Sequence, residues 1–106
     1  GQNNKKDQHM NSLEYIHIRI TTGTRQSLLE LVRLNLTKRE NSEQINVYYH
    51  AVYDTDLCVY LCWNDKLPSR GSETGIRIAA GLREFGIVRH SVWYEALNPN
   101  QSRRLS

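Results

Sequence analysis

Alternating apolar and polar side chains predict four β-strands along the chain. In EYIHIRI (residues 14–20) isoleucines take every second position, and Tyr15, His17 and Arg19 lie between them. A period of two is typical of a strand that buries one face. The other three predicted strands are QINVYYHAVY (44–53), LCVYLCW (57–63) and IVRHSVWYEAL (87–97).

Two further segments place their apolar residues at helical spacing. RQSLLELVRLNLTKREN (25–41) follows Thr24, a residue type that commonly caps a helix N-terminus. SETGIRIAAGLREFG (72–86) begins at Ser72, a second capping residue, and ends at a glycine. The apolar positions of the first helix are Leu28, Leu31, Val32 and Leu36, and those of the second are Ile76, Ala79, Ala80, Leu82 and Phe85.

The element order β-α-β-β-α-β predicts a ferredoxin-like α+β fold. Short connections and right-handed crossovers place the strands in the order 4-1-3-2 in one antiparallel sheet, with both helices on one face. The segment DTD (54–56) predicts a three-residue hairpin connection. That connection would place Tyr49 opposite Leu61 and His50 opposite Tyr60.

The sheet face that the helices leave uncovered is rich in aromatic side chains. A small monomer rarely exposes so much apolar surface to water. We therefore expect a homodimer in which two sheets pack face to face, since two-fold pairing is the commonest closed assembly. The residues expected on this face are Tyr15, His17, Tyr48, His50, Cys58, Tyr60, Cys62 and Trp93.

The two ends of the chain differ in composition from its middle. Residues 1–10, GQNNKKDQHM, are polar and aperiodic and resemble a cleaved expression tag, so we expect one domain over 11–97 and a flexible tail over 98–106. The ends supply the formal net charge of +3, because residues 11–97 hold ten basic and ten acidic side chains. Without a basic stripe on the folded part, we expect no nucleic-acid partner.

Cysteine spacing and hydropathy indicate a cytoplasmic protein. Cys58 and Cys62 lie four residues apart on a predicted strand, ~13 Å from each other, which is too far for a disulfide. They are either small buried residues or, with His50 nearby, part of a reactive thiol site. No apolar run approaches the ~20 residues of a membrane span, so we expect no membrane partner.

Four polar or aromatic side chains interrupt the apolar, helix-facing side of the predicted sheet. Trp63, Tyr49 and Tyr94 could bind a planar aromatic molecule, and His90 could act as a catalytic acid or base near neutral pH. The alternative is that the rings are ordinary core and that a backbone carbonyl satisfies His90.

Metal and anion sites have weaker support in the sequence. His17, His50 and His90 lie on three strands but not on one face of neighbouring strands, so no metal site is expected. The segment KLPSRGSETG (66–75) either holds an anionic group with Arg70 and the helix start, or is a capped helix start alone.

A strand that ends in CWND (62–65) and leads through a polar bend into a helix resembles the dimeric α/β-barrel superfamily. Within it, the chain is similar to the antibiotic-biosynthesis-monooxygenase-like branch, over about residues 13–97 in architecture and with Trp63 and Asp65 as the motif. The resemblance implies a homodimer with a pocket in each subunit between the sheet and the helices.

The resemblance also sets expectations about cofactor and function. Haem-degrading members carry an Asn on the first strand and a His on the second helix, whereas this chain has His17 and Arg19 on the first and no histidine on the second. We therefore expect no haem or other cofactor. The expected function is a cofactor-independent monooxygenase acting on a small aromatic or polyketide-like compound. The alternative is a non-catalytic, small-molecule-binding or stress-related dimer.

Overall fold

A computed structural model of the protein describes residues 11–36 and 44–99. The predicted tag (1–10) and most of the predicted tail (98–106) lie outside these residues. The elements follow one another in the predicted order: β1 (Ser12–Ile20), α1 (Arg25–Leu36), β2 (Gln44–Tyr49), β3 (Asp56–Trp63), α2 (Glu73–Leu82) and β4 (Gly86–Tyr94).

The strands form one antiparallel sheet in the order β2-β3-β1-β4, which confirms the predicted topology. β1 lies between β3 and β4, so that Ile16 stands opposite Val59 on one side and His90 on the other. With two helices in the predicted places, the ferredoxin-like α+β fold is confirmed.

The hydrophobic core lies between one face of the sheet and the two helices. Ile16, Ile18 and Leu61 from the sheet are fully buried, as is Ile78 from α2, and Leu28 from α1 is 1% exposed. Burial of each such aliphatic side chain contributes about 1.5–3 kcal/mol. The helix-facing side of the sheet is therefore a dry layer, and any polar group within it needs a partner.

The β2–β3 hairpin pairs in a register four residues from the predicted one. Tyr49 lies opposite Leu57 instead of Leu61, and His50 lies in the connection instead of opposite Tyr60. The strand ends because the Nδ1 atom of His50 accepts hydrogen bonds from the backbone N–H groups two and three residues ahead, at 2.9 and 3.0 Å. An even shift leaves every strand side chain on its predicted face.

The helices confirm their predicted starts, but α2 buries a different side. At α1, the backbone N–H of Ser27 donates to the Thr24 hydroxyl at 3.1 Å. In α2, Ile78 is fully buried, whereas Ile76 is 39% exposed and Ala80 is exposed. Ile76 and Ala80 lie four residues apart on one stripe of the helix, opposite the stripe of Ile78. The predicted apolar set combined two stripes, and only one can face the sheet.

The uncovered side of the sheet, here called the open face, carries the predicted aromatic side chains apart from His50. Tyr60 contacts Tyr15 and Tyr48, with ring centroids 5.1 and 5.4 Å apart. Tyr48 is 51% and Trp93 60% exposed. The open face consists of Leu13, Tyr15, His17, Arg19, Asn46, Tyr48, Asp56, Cys58, Tyr60, Cys62, Ile87, Arg89, Ser91 and Trp93. In the described part of the chain, no helix is both long and apolar enough to cross a membrane.

Candidate functional site

A glutamate, Glu14, lies fully buried on the helix-facing side of β1. It stands two residues before Ile16 and four before Ile18, so the period of the strand points its side chain into the same dry layer. Ionisable side chains are almost never fully buried unless partners satisfy them. The partners of Glu14 therefore define the candidate site.

Four groups hold the Glu14 carboxylate. Its Oε1 accepts hydrogen bonds from the indole Nε1 of Trp63 at 3.1 Å and from the hydroxyl of Ser72 at 2.7 Å. Its Oε2 accepts one from the backbone N–H of Ser72 at 3.0 Å and lies 2.6 Å from Nε2 of His90. Three strands and the start of α2 thus meet at one carboxylate. Glu14, Trp63, Ser72 and His90 are here called the Glu14 cluster.

The start of α2 is built closely around the Glu14 carboxylate. Ser72 caps the helix by accepting a hydrogen bond from the Gly75 N–H at 2.9 Å, while its hydroxyl proton is directed to Glu14. A Cβ atom at Gly75 would overlap the carboxylate, and one at Gly71 (φ +105°) would lie 2.6 Å from the His90 ring. The positive end of the helix dipole therefore faces Glu14. The predicted capped start is confirmed, and the chain supplies the anionic group there itself.

His90 is held through one of its two ring nitrogens. Its side chain is 10% exposed, its Nε2 contacts Glu14, and its Nδ1 has no hydrogen-bond partner among the described residues. When a carboxylate accepts from one nitrogen of a neutral imidazole, the other nitrogen is left as a proton acceptor. The partner of His90 is therefore a buried carboxylate, not the backbone carbonyl of the alternative interpretation.

An open cleft lies beside Trp63, where β1 begins and β3 and β4 end. Its volume is about 480 Å³, within the range of roughly 300–1,000 Å³ that small-molecule sites occupy. Trp63 is 7% exposed and both lines the cleft and donates to Glu14. His90 is not part of the lining. The lining residues are Asn11, Ser12, Leu13, Cys62, Trp63, Asn64, Trp93, Tyr94 and Glu95.

Tyr94 joins Trp63 at this cleft. Its hydroxyl donates a hydrogen bond to the backbone carbonyl of Leu67 at 2.7 Å, which fixes the ring at the edge of the sheet. The ammonium group of Lys66 lies 5.2 Å from the centre of the same ring, a distance at which a cation is attracted to an aromatic face. The loop after β3 is thereby attached to the end of β4.

Tyr49, in contrast, lies at the opposite end of the sheet. It pairs with Leu57, which precedes Trp63 by six residues, or about 20 Å along β3. The guanidinium of Arg25 lies 4.3 Å from the centre of its ring. The structure thus brings three of the four predicted site residues to one region and separates Tyr49 from them.

The other histidines and the cysteines are dispersed. His17 lies on the open face and His50 in the β2–β3 connection, and no group of three potential ligands is close enough to hold a metal ion in the part of the chain described. Both cysteines are free. Burial raises the pKa of the Cys58 thiol, whereas a reactive thiol needs a lowered pKa.

The sequence did not lead to a prediction of Glu14 as a site residue, nor of the hydrogen bond that the Ser72 hydroxyl donates to it. A signal for Glu14 was present, because a charged residue in phase with Ile16 and Ile18 must enter the core or end the strand. No local signal exists for the contact between Glu14 and Ser72, since 58 positions separate them in the chain.

Comparisons with known proteins support the fold. No protein-family model and no curated protein sequence gives a significant match. SnoaB, a cofactor-independent oxygenase from Streptomyces nogalater, superposes with a TM-score of 0.59 at 8% sequence identity, over 85% of this chain and 96% of SnoaB. Rv0793 from Mycobacterium tuberculosis superposes with a TM-score of 0.59 at 15% identity, over 83% of this chain and 95% of Rv0793.

A third solved structure, from Nitrosomonas europaea, is provisionally assigned as an antibiotic biosynthesis monooxygenase. It superposes with a TM-score of 0.61 at 8% identity, over 84% of this chain and 93% of its own length. These matches confirm the resemblance drawn from CWND (62–65) at the level of fold. The chain has the ferredoxin-like α+β fold that these three proteins share.

Proposed function

We propose that the protein binds a small aromatic or polyketide-like compound in the cleft beside Trp63 and Tyr94, and oxidises it without a cofactor. The observation that carries the proposal is that Trp63 belongs both to the cleft and to the Glu14 cluster. Its ring lines the cleft, and its N–H donates to the buried Glu14, which also contacts His90. The ligand site and a potential proton acceptor are therefore connected through Trp63 and Glu14.

The chemistry assigned to His90 is proton abstraction. With Nε2 committed to Glu14, Nδ1 can take a proton from a phenol or from a methylene group activated by neighbouring aromatic carbonyls. The resulting electron-rich anion can reduce O2 directly. For a methylene group, one oxygen atom becomes the new carbonyl and the other leaves as water with the two hydrogens, so that O2 is the only oxidant required. An enzyme of this class needs no metal or flavin for the step.

A second candidate function is binding without turnover. It is favoured by one specific observation, that His90 does not line the cleft and is only 10% exposed. In this case the Glu14 cluster serves to hold Trp63 and the start of α2, and the cleft stores or senses its ligand.

We also propose that the working unit is a homodimer formed through the open face. Tyr48, Trp93 and Ile87 are 51%, 60% and 62% exposed on it, which is unfavourable for a small monomer in water. The resemblance to the dimeric α/β-barrel superfamily implies the same pairing. The two free cysteines support a reducing compartment, which we propose to be the cytoplasm.

The decisive experiment follows binding and O2 consumption separately. Ligand binding is measured by quenching of tryptophan fluorescence with a hydroxylated anthrone, and turnover by an oxygen electrode with the same compound. The test variant is His90→Gln, whose amide can still donate to Glu14 but cannot take up a proton. The control is His50→Asn, since His50 lies in an exposed connection away from the cleft.

Each outcome separates the candidates. O2 uptake that falls at least a hundredfold in His90→Gln with binding retained supports the oxygenase, because general bases contribute roughly 10²–10⁴-fold. Binding without O2 uptake in the wild-type protein supports the second candidate. If the aromatic probe does not bind at all, both functions proposed for the cleft are wrong.

A further inference from the structure

The open face carries a second histidine–carboxylate pair, near the end of the sheet away from the cleft. Nε2 of His17 lies 2.9 Å from Oδ2 of Asp56. The other carboxylate oxygen accepts hydrogen bonds from the Thr55 hydroxyl at 2.8 Å and from Nε of Arg19 at 3.4 Å. The side chain of Asp56 is 7% exposed and that of His17 27%. The imidazole is thus still accessible in one subunit and would be covered by a second sheet.

The charges on the open face are unbalanced. The open face carries two guanidinium groups, those of Arg19 and Arg89, and one carboxylate, that of Asp56. With His17 counted as neutral, the described strand residues of this face have one positive charge in excess. Glu95 follows the end of β4, six residues or about 20 Å from Arg89. The titratable or charged groups around His17 are Tyr15 and Arg19 on β1, Asp56, Cys58 and Tyr60 on β3, and Arg89 on β4.

His17 is the one histidine among the described residues of the open face. The hydrogen bonds from Thr55 and His17 lower the pKa of Asp56 to about 2, so this carboxylate stays ionised well into acid. Burial raises the pKa values of Cys58 and of the tyrosines at 15 and 60, which keeps them neutral up to alkaline pH. Imidazole is the ordinary side chain that titrates between about pH 5 and 8.

We propose that protonation of His17 weakens the homodimer, so that the two subunits separate more readily in mild acid than at neutral pH. The inference rests on the homodimer of the proposed function. In a two-fold pair of open faces, each face gains one positive charge, and both already have one in excess. Bringing these faces together then costs both like-charge repulsion and the desolvation of two imidazolium ions.

The test is the dimer dissociation constant from sedimentation equilibrium at about pH 8 and about pH 5.5, with ionic strength held constant and the fold checked by circular dichroism. We expect the wild-type constant to rise roughly tenfold at the lower pH. His17→Gln can still donate to Asp56 but cannot gain a proton, and its constant should change less than about twofold. His50→Asn is the matched control, since it removes a histidine outside the open face.

A second variant checks the charge argument if His17→Gln disturbs the sheet. Arg89→Gln removes one positive charge from an exposed position and leaves the His17–Asp56 pair intact. It should tighten the dimer at both pH values and keep the pH dependence. A dimer of equal strength at both pH values, or one whose pH dependence persists in His17→Gln, overturns this inference alone. A monomer at both pH values overturns the homodimer and this inference with it.

Discussion

At the residue scale, Glu14 is the side chain on which the others depend. A buried carboxylate loses its hydration and is retained only where hydrogen bonds replace it. Here the indole of Trp63, both donors of Ser72 and the imidazole of His90 do so. Because each oxygen accepts from two donors, replacing either oxygen by a group that cannot accept a hydrogen bond leaves buried donors unsatisfied. The cluster should therefore be sensitive to isosteric changes.

Glu14→Gln tests this sensitivity. The amide replaces one acceptor oxygen with an NH2 group that faces donors, so we expect a loss of about 2–4 kcal/mol in the free energy of unfolding, measured with urea. Glu30→Gln on the exposed side of α1 is the control and should stay within about 0.5 kcal/mol of the wild type. A Glu14→Gln protein as stable as that control would contradict the hydrogen bonds assigned to the carboxylate.

Asp56 should make the fold sensitive to strong acid. Its pKa in the folded protein is about 2, below the ordinary value of 3.8. A lowered pKa means that the stabilisation is complete above the ordinary value and is lost as the pH falls towards 2. Between pH 4 and 2, urea unfolding should therefore show a steeper loss of stability in the wild type than in Asp56→Asn. Asp54→Asn, two residues away and exposed, should follow the wild-type curve, and identical slopes in all three would refute the assignment.

At the element scale, α2 is positioned by its first turn. Gly75 lies against the Glu14 carboxylate without space for a Cβ atom, and the Ser72 cap shares its hydroxyl with the same group. This contact, together with burial of Ile78, orients the helix and turns Ile76 outwards. The spacing of apolar residues allowed either the Ile76 stripe or the Ile78 stripe of α2 to face the sheet. The close approach of Gly75 to Glu14 is compatible with burial of the Ile78 stripe.

Two glycines of α2 provide a matched pair of substitutions. In a helix, Gly→Ala is ordinarily stabilising by roughly 0.5–1 kcal/mol. At Gly75 the new methyl group would overlap Glu14, and we expect destabilisation by at least about 2 kcal/mol. At Gly81 the methyl would lie 3.0 Å from a terminal carbon of Leu31, which can shift, so the change should be below about 1 kcal/mol. Equal effects in thermal or urea unfolding would exclude the close packing described for Gly75.

At the scale of the whole molecule, the sheet separates the candidate chemistry from the candidate interface. The Glu14 cluster lies on the helix-facing side, and the aromatic open face lies on the other. The cleft is the exception, because Trp63 enters it from the helix-facing side and Trp93 from the open face. A second subunit on the open face would therefore lie next to a molecule bound in the cleft, if both proposals hold.

A pair of exposed tyrosines tests which surface mediates self-association. Tyr48 lies on the open face and Tyr53 in the β2–β3 connection, 51% and 58% exposed. Tyr48→Lys should convert the proposed homodimer to a monomer in sedimentation velocity, because a buried ammonium ion opposes face-to-face packing. Tyr53→Lys should leave the dimer intact. Loss of the dimer in Tyr53→Lys alone would place the interface elsewhere.

The elements, their order and the face on which each strand residue lies are predictable from the sequence alone. These follow from local properties: a period of two in Ile16 and Ile18, helical spacing after Thr24, and a cap at Ser72. Strand order followed as well, because short connections and right-handed crossovers leave few topologies. The alternation along β3 and β4 also predicted that Trp63 and His90 lie on the helix-facing side of the sheet.

The register of the β2–β3 hairpin, the buried stripe of α2 and the composition of the Glu14 cluster depend on tertiary packing and were not predictable from the sequence. Glu14 meets Trp63 across 49 positions and His90 across 76. Such contacts depend on how whole elements pack, and periodicity describes one element at a time. The partners of a buried carboxylate are the donors that the fold brings within about 3 Å of it. The strand period therefore shows that Glu14 points into the core, but it does not show which residues donate to it.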